Sequence, residues 1–263
     1  MRLWGISDLH LAGGSGKTMD RFGPEWVGHA ARIESAWRAS VRDGDVVIVP
    51  GDLSWAMRLA EAASDLAWLA ALPGRKVLVR GNHDYWWTTG AKLRAALPEG
   101  VYALRNDSVA IDGVAFAGVR YWTDPELVWP GAAEPETDAA PSLSAPPGAA
   151  PGPKAPAPRR DPAEDERLLE REIERLRLSL AALDPAARFR VALLHYPPVD
   201  PAGRVGRAIP VLAGAGIELC AFGHIHGYRS TVPPEWTALG VRCTLVSCDA
   251  LGFAPRLLTE FEG

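Results

Sequence analysis

The chain has 263 residues, 48% of them hydrophobic and 23% charged, with a formal net charge of −4. That length supports a substantial buried core, and the acidic balance excludes a global basic field that would draw nucleic acid or an anionic membrane. The three cysteines, Cys220, Cys243 and Cys248, form no CxxC pair, which argues against a disulfide framework or a thiolate zinc site.

Residues 3–6 are a short apolar run that predicts a first strand, ending at Ser7-Asp8-Leu9-His10. From 28 to 42, Ala30, Ile33, Trp37 and Val41 recur at helical spacing until Gly44 stops the pattern. Residues 46–49 read as a buried strand ending at Pro50-Gly51-Asp52, followed by a helix over about 56–71 carrying Leu59, Ala63, Leu66 and Leu69. A third strand, 76–79, ends at Gly81-Asn82-His83-Asp84, and 109–111 and 114–119 read as a hairpin about Asp112-Gly113.

Residues from about 131 to 160 break the pattern, being dominated by Pro, Ala and Gly with one Leu as the large apolar residue. Such a segment buries too little surface to offset its chain entropy, so a disordered surface insertion is expected within a single domain covering 1–263. Order resumes at Asp161-Pro162, an N-cap with proline at the first helical position. The helix over about 164–183 carries Leu169, Ile173, Leu176, Leu180 and Leu183 on one stripe, suited to packing on the domain's own sheet. Strands follow at 190–194, ending at His195, and at 217–222, ending at Gly223-His224-Ile225-His226, with closing strands at 242–247 and 255–258.

Five predicted strands thus end at clusters of metal-capable side chains, and five of the six histidines fall in those clusters. In open α/β sheets, ligands bind beyond the carboxyl ends of strands. Asp8 and His10 are two apart, as are His224 and His226, a spacing that in extended chain projects both side chains to one side. Imidazoles and carboxylates without thiolate suit Mn, Fe, Zn or Ni better than an all-oxygen Ca or Mg site.

In that order, Asp-x-His, Gly-Asp, Gly-Asn-His-Asp, a lone His and Gly-His-x-His resemble the calcineurin-like metallophosphoesterases. Lys17-x-Met19-Asp20-x-Phe22-Gly23-x-x-Trp26, Tyr85-Trp86-Trp87, His195-Tyr196-Pro197-Pro198 and Val246-Ser247-Cys248-Asp249 further resemble a bacterial subgroup of predicted phosphohydrolases. The resemblance implies an α/β fold, a four-layer α/β/β/α sandwich with two mixed sheets. It also implies two divalent ions, Mn²⁺ foremost, with Asp8, His10 and His226 on one, Asn82, His195 and His224 on the other, and Asp52 bridging. In this scheme a metal-bridging hydroxide attacks phosphorus. His83 is the general acid for the leaving alkoxide, and Asp84 orients its imidazole.

Gly13-Gly14-Ser15-Gly16-Lys17-Thr18 lacks the earlier glycine of a P-loop, that position being Leu11, so it reads as a loop beside the site. Tyr85-Trp86-Trp87 is core or a substrate wall; Arg80, Arg120, Arg204 and Arg207 are candidate contacts for a distal phosphate. The expected activity is hydrolysis of a small phosphomonoester or phosphodiester. A protein-binding scaffold that had lost catalysis should lack a bridging ligand or the acid, and neither is missing. A nuclease of the same superfamily gains nothing from the acidic charge. No apolar run reaches the ~18 residues of a membrane span. Residues 1–6 lead straight into the first cluster, so no cleavable signal peptide and a cytoplasmic location are expected.

Overall fold

The computed structural model describes residues 1–13, 16–129, 161–228 and 234–262. In chain order its elements are β1 (Arg2–Gly5), α1 (His29–Ser40), β2 (Val46–Pro50), α2 (Ala63–Ala70), β3 (Arg75–Val79), α3 (Gly90–Ala96), β4 (Val101–Ala103), β5 (Ser108–Ile111) and β6 (Val114–Val119). There follow α4 (Pro162–Ala181), β7 (Phe189–Leu194), α5 (Ala208–Gly214), β8 (Leu219–Phe222), β9 (Glu235–Ala238), β10 (Val241–Leu245) and β11 (Arg256–Glu260).

The strands form two mixed sheets, ordered β11-β1-β2-β3-β4 and β5-β6-β7-β8-β10-β9. Within each, the central strands are parallel, whereas β11, β5 and β9 pair antiparallel with their neighbours. Strand alternation fixes the layers. In β2, Val46 and Ile48 face a core shared with Phe116, Val191 and Leu219 of the other sheet. Val47 and Val49 point the opposite way, against Ile33 and Trp37 of α1 and Leu66 and Leu69 of α2. The second sheet repeats the arrangement: Ala115, Ala117 and Ala192 pack outward on Leu169, Ile173, Leu176 and Leu180 of α4 and Leu212 of α5. The result is a four-layer α/β/β/α sandwich, as the resemblance implied.

Several elements differ from the sequence reading. The helix expected over 56–71 begins only at Ala63, because the Glu61 carboxylate accepts from the Met57 and Arg58 N–H groups and holds 57–61 as a turn. The N-cap read at Asp161 is where α4 begins: the helix starts at Pro162, with the Asp161 side chain accepting from Ala163 N–H at 3.0 Å. α3, β4, α5 and β9 had no clear period in the sequence. The insertion expected at 131–160 lies outside the described residues.

Candidate metal centre

The parallel strands β1, β2, β3, β7 and β8 all end on one side of the sandwich, and the loops that follow are stitched to one another by backbone hydrogen bonds. Asp8 N–H donates to Gly51 O and His10 N–H to Asp52 O, each at 3.0 Å, while Gly223 N–H donates to His195 O at 3.1 Å. These loops are not extended. Asp8, His10, Asp52 and His224 have φ of 57, 45, 54 and 71°, in the left-handed region. The pairs at i and i+2 therefore do not share a face through strand pleating, as the spacing suggested. Asp8 and His10 converge because two left-handed residues curl the chain, and His224 and His226 diverge to different neighbours. Gly51 is required at φ +94°, where an added Cβ would collide with the His195 ring and the Gly81 backbone.

Two groups of donors form. Asp8, His10 and His226 bring ligand atoms within 4.8 Å of one another, as do Asp8, Asp52 and His195. The His10 and His226 Nε2 atoms face each other at 3.2 Å. Asn82 Oδ1 lies 2.5 Å from His195 Nε2 and 3.1 Å from His224 Nδ1. Asp52 sits between the groups, its Oδ2 at 3.8 Å from His10 Nε2 and 3.5 Å from His195 Nε2. All seven candidate ligands are thus gathered at one place.

The protonation states of His10 and His195 suit cation binding. Burial holds the His10 and His195 imidazoles well below their usual pKa, with the neighbouring histidines adding to the effect, so both are neutral and offer a lone pair. His195 Nδ1–H donates to Pro50 O at 3.1 Å, which turns the Nε2 lone pair toward Asn82 and Asp52. Burial lifts Asp52 to about 8, against the pull of His83 and with the help of Asp84 and Asp8. A buried Asp52 carboxylate, whose charge Asp8 and Asp84 further disfavour, beside the neutral imidazoles of His10 and His195, fits divalent ions.

Asp249, the last residue of the Val246-Ser247-Cys248-Asp249 motif, acts on His226. Burial opposes a charged His226, yet the Asp249 hydrogen bond at 3.1 Å and the Asp8 charge outweigh it and raise His226 to about 9. That carboxylate also accepts Gly227 N–H at 2.7 Å, so it fixes the ring and turns Nε2 toward His10. Its clue was available: Asp249 also follows the end of a predicted strand.

Asp84 departs from expectation. Its Oδ2 accepts the N–H groups of Asp52 (2.9 Å) and Gly81 (2.8 Å). Its Oδ1 accepts those of Leu53 (3.0 Å), Ser54 (3.3 Å) and Trp86 Nε1 (2.9 Å). With five donors on two oxygens, the carboxylate ties the β2 and β3 loops together rather than orienting the His83 imidazole. His83 is partly open, its own N–H donating to Asp52 Oδ1 at 2.8 Å. Trp86 is buried and so is core, not a substrate wall. Arg204 and Arg207 pair with Asp200 and Glu166, away from the ligand loops, whereas Arg80 and Arg120 line a cleft at the ends of β3 and β6.

Fold and donor set together define a metal-dependent phosphoesterase of the calcineurin-like class. The sequence profile of the calcineurin-like phosphoesterases matches residues 1–228, and the chain belongs to that family. The Gene 66 protein of Mycobacterium phage D29 is 33% identical over 120 residues, covering 37% of this chain and 58% of that protein. Its counterpart in Mycobacterium phage L5 is 32% identical over 81 residues, covering 31% and 39%. The chain therefore spans about half the length of the curated relatives it matches. Among solved structures, the phosphopantetheinyl hydrolase of Mycobacterium tuberculosis aligns over 98% of this chain and 95% of that one, with a TM-score of 0.52 and 18% identity, a likeness of fold. Among the described residues, no helix is long and apolar enough to cross a membrane.

Proposed function

We propose that the chain is a dinuclear metal-dependent phosphohydrolase acting on a small phosphomonoester or phosphodiester in the cytoplasm. The observation that carries this reading is the position of Asp52, whose one oxygen lies within 4 Å of imidazole nitrogens from both donor groups. In this reading Asp8, His10 and His226 would hold one ion, Asn82, His195 and His224 would hold the other, and Asp52 would serve both. Two divalent ions, Mn²⁺ foremost and Fe, Zn or Ni as alternatives, supply neutralisation of the phosphoryl charge and a water acidic enough to ionise near pH ~7.

The chain's own residues do the rest. His83 protonates the leaving oxygen, and its N–H bond to Asp52 fixes the distance between the acid and the spanning carboxylate. Asp84 holds the Asp52 and Gly81 loops in register. Asp249 and the Pro50 carbonyl set the tautomers of His226 and His195.

A panel of chromogenic mono- and diesters run against several divalent metals tests the proposal. Metal-dependent turnover of at least one ester is expected. Stoichiometric Mn²⁺ binding with no turnover of any ester would instead favour a protein-binding scaffold.

A further inference from the structure

The segment from Lys17 to Trp26 has no part in the chemistry above, yet it lies beside the candidate centre as two short 3-10 turns, Met19–Phe22 and Pro24–Trp26. Trp26 is buried edge-on to His10 and His226, with ring centroids at 6.3 and 5.6 Å, and serves as packing. Phe22 is different. At 56% exposure it is the most exposed aromatic ring among the described residues. It lies parallel to Trp55 within 5°, with centroids 6.5 Å apart.

Trp55 connects that open ring to the reaction centre. It stacks on His10 at 4.7 Å and meets His83 at 4.5 Å. Its orientation is fixed by Nε1–H, which donates to the sulfur of buried Met19 at 3.3 Å. The Lys17 ammonium, 5.5 Å from its ring centroid, adds positive charge beside the same surface. A run of aromatic faces therefore leads from His83 through Trp55 to solvent at Phe22. Packing accounts for Trp26 and Met19, whereas Phe22 leaves more than half of its ring in water at the open end of that run.

We propose that Trp55 and Phe22 form a leaving-group subsite selecting phosphoesters whose alcohol carries a flat aromatic or heteroaromatic ring. The inference rests on the phosphohydrolase reading, because an oxygen protonated by His83 must lie within hydrogen-bond reach of that imidazole. The alcohol attached to that oxygen then begins its path at Trp55. Flat rings gain from stacking in a way that puckered rings of equal size do not, and heteroaromatic bases stack on such platforms with little regard to identity.

The test is calorimetric binding of two non-hydrolysable probes, 2-naphthylphosphonate and its saturated analogue 2-decalinylphosphonate, to the full-length Mn²⁺-loaded protein. The naphthyl probe should bind about fivefold to tenfold tighter. Phe22→Ala, at an exposed position, should abolish that preference, and Phe22→Tyr should keep it. Equal binding of the two probes, no binding of either, or a preference that survives Phe22→Ala would overturn the subsite. Turnover of any ester in the mono- and diester panel reports separately on the parent reading. Preference with no turnover of any ester upholds a flat-ring binding site but removes the hydrolase and with it the leaving-group role, whereas turnover without preference keeps the hydrolase and removes the subsite.

Discussion

Replacing Asp84 by Asn keeps the shape of the side chain and changes one oxygen into a donor. In the better orientation the amide NH₂ faces the N–H groups of Asp52 and Gly81, while the carbonyl keeps Leu53, Ser54 and Trp86. The flipped amide strands three donors rather than two. Each buried donor left without an acceptor costs about 1–3 kcal/mol, and the three retained bonds lose their charge assistance. Asp84→Asn should therefore destabilise the protein by about 4–6 kcal/mol. At about 2.1 cal/mol/K of unfolding entropy per residue over 263 residues, the melting temperature should fall by roughly 7–11 °C. Scanning calorimetry with chelator present reads this effect free of metal linkage. Because the Asp52 loop loses its anchor, Mn²⁺ affinity by titration calorimetry should also drop about tenfold or more. Unchanged melting and unchanged Mn²⁺ affinity, together with lost turnover, would refute the argument and return Asp84 to a role in orienting His83.

Three further outcomes are expected. His83→Asn should leave Mn²⁺ binding intact but lower turnover by about 10²–10⁴-fold, most for poor leaving groups; undiminished kcat on an alkyl ester would remove His83 as the acid. Asp249→Asn should weaken Mn²⁺ binding by about 10–100-fold while Asp249→Glu recovers part of it, as read by titration calorimetry. Lys76 is buried, its ammonium donating to the Ala70 carbonyl at 3.4 Å and to that of Leu72, and burial lowers its pKa from 10.5 to about 8. Between those values the unfolded chain keeps the proton that the folded chain releases, so stability should rise with pH across that window and be flat in this respect below it. The gain, at most about 2 kcal/mol after solvent screening, should vanish in Lys76→Met when urea unfolding is compared at pH 7.5 and 10.

The elements most legible in the sequence were those whose own pattern fixes their surroundings. Val46–Pro50 reads as a strand buried on both faces because only the middle of a sandwich takes such a run, and the stripe from Leu169 to Leu180 allows one packing face. The ligands were legible because each follows a strand end. What failed was inference from neighbours along the chain. Asp84 sits next to His83 in sequence, yet its partners include Asp52, Leu53 and Ser54, some thirty residues away, and only tertiary structure brings them together. Trp86 follows the same block and looked available to substrate, but its N–H is spent on Asp84 in the core. α5 carries Pro210 in its first turn, and β9 alternates Trp236 and Ala238 with Glu235 and Thr237 over only four residues, so neither gave a strong local signal.

The left-handed residues at Asp8, His10, Asp52 and His224 bear on how such a protein can change over generations. Among residues with a side chain, Asn settles into that backbone conformation with least strain, and Asp and His tolerate it better than most. Every Asp and His codon is one base change from an Asn codon. At these four positions a single mutation can therefore discard a carboxylate or imidazole while easing the backbone. Loss of chemistry is here coupled to relief of backbone strain, so descendants that keep the sandwich without the reaction lie one substitution away.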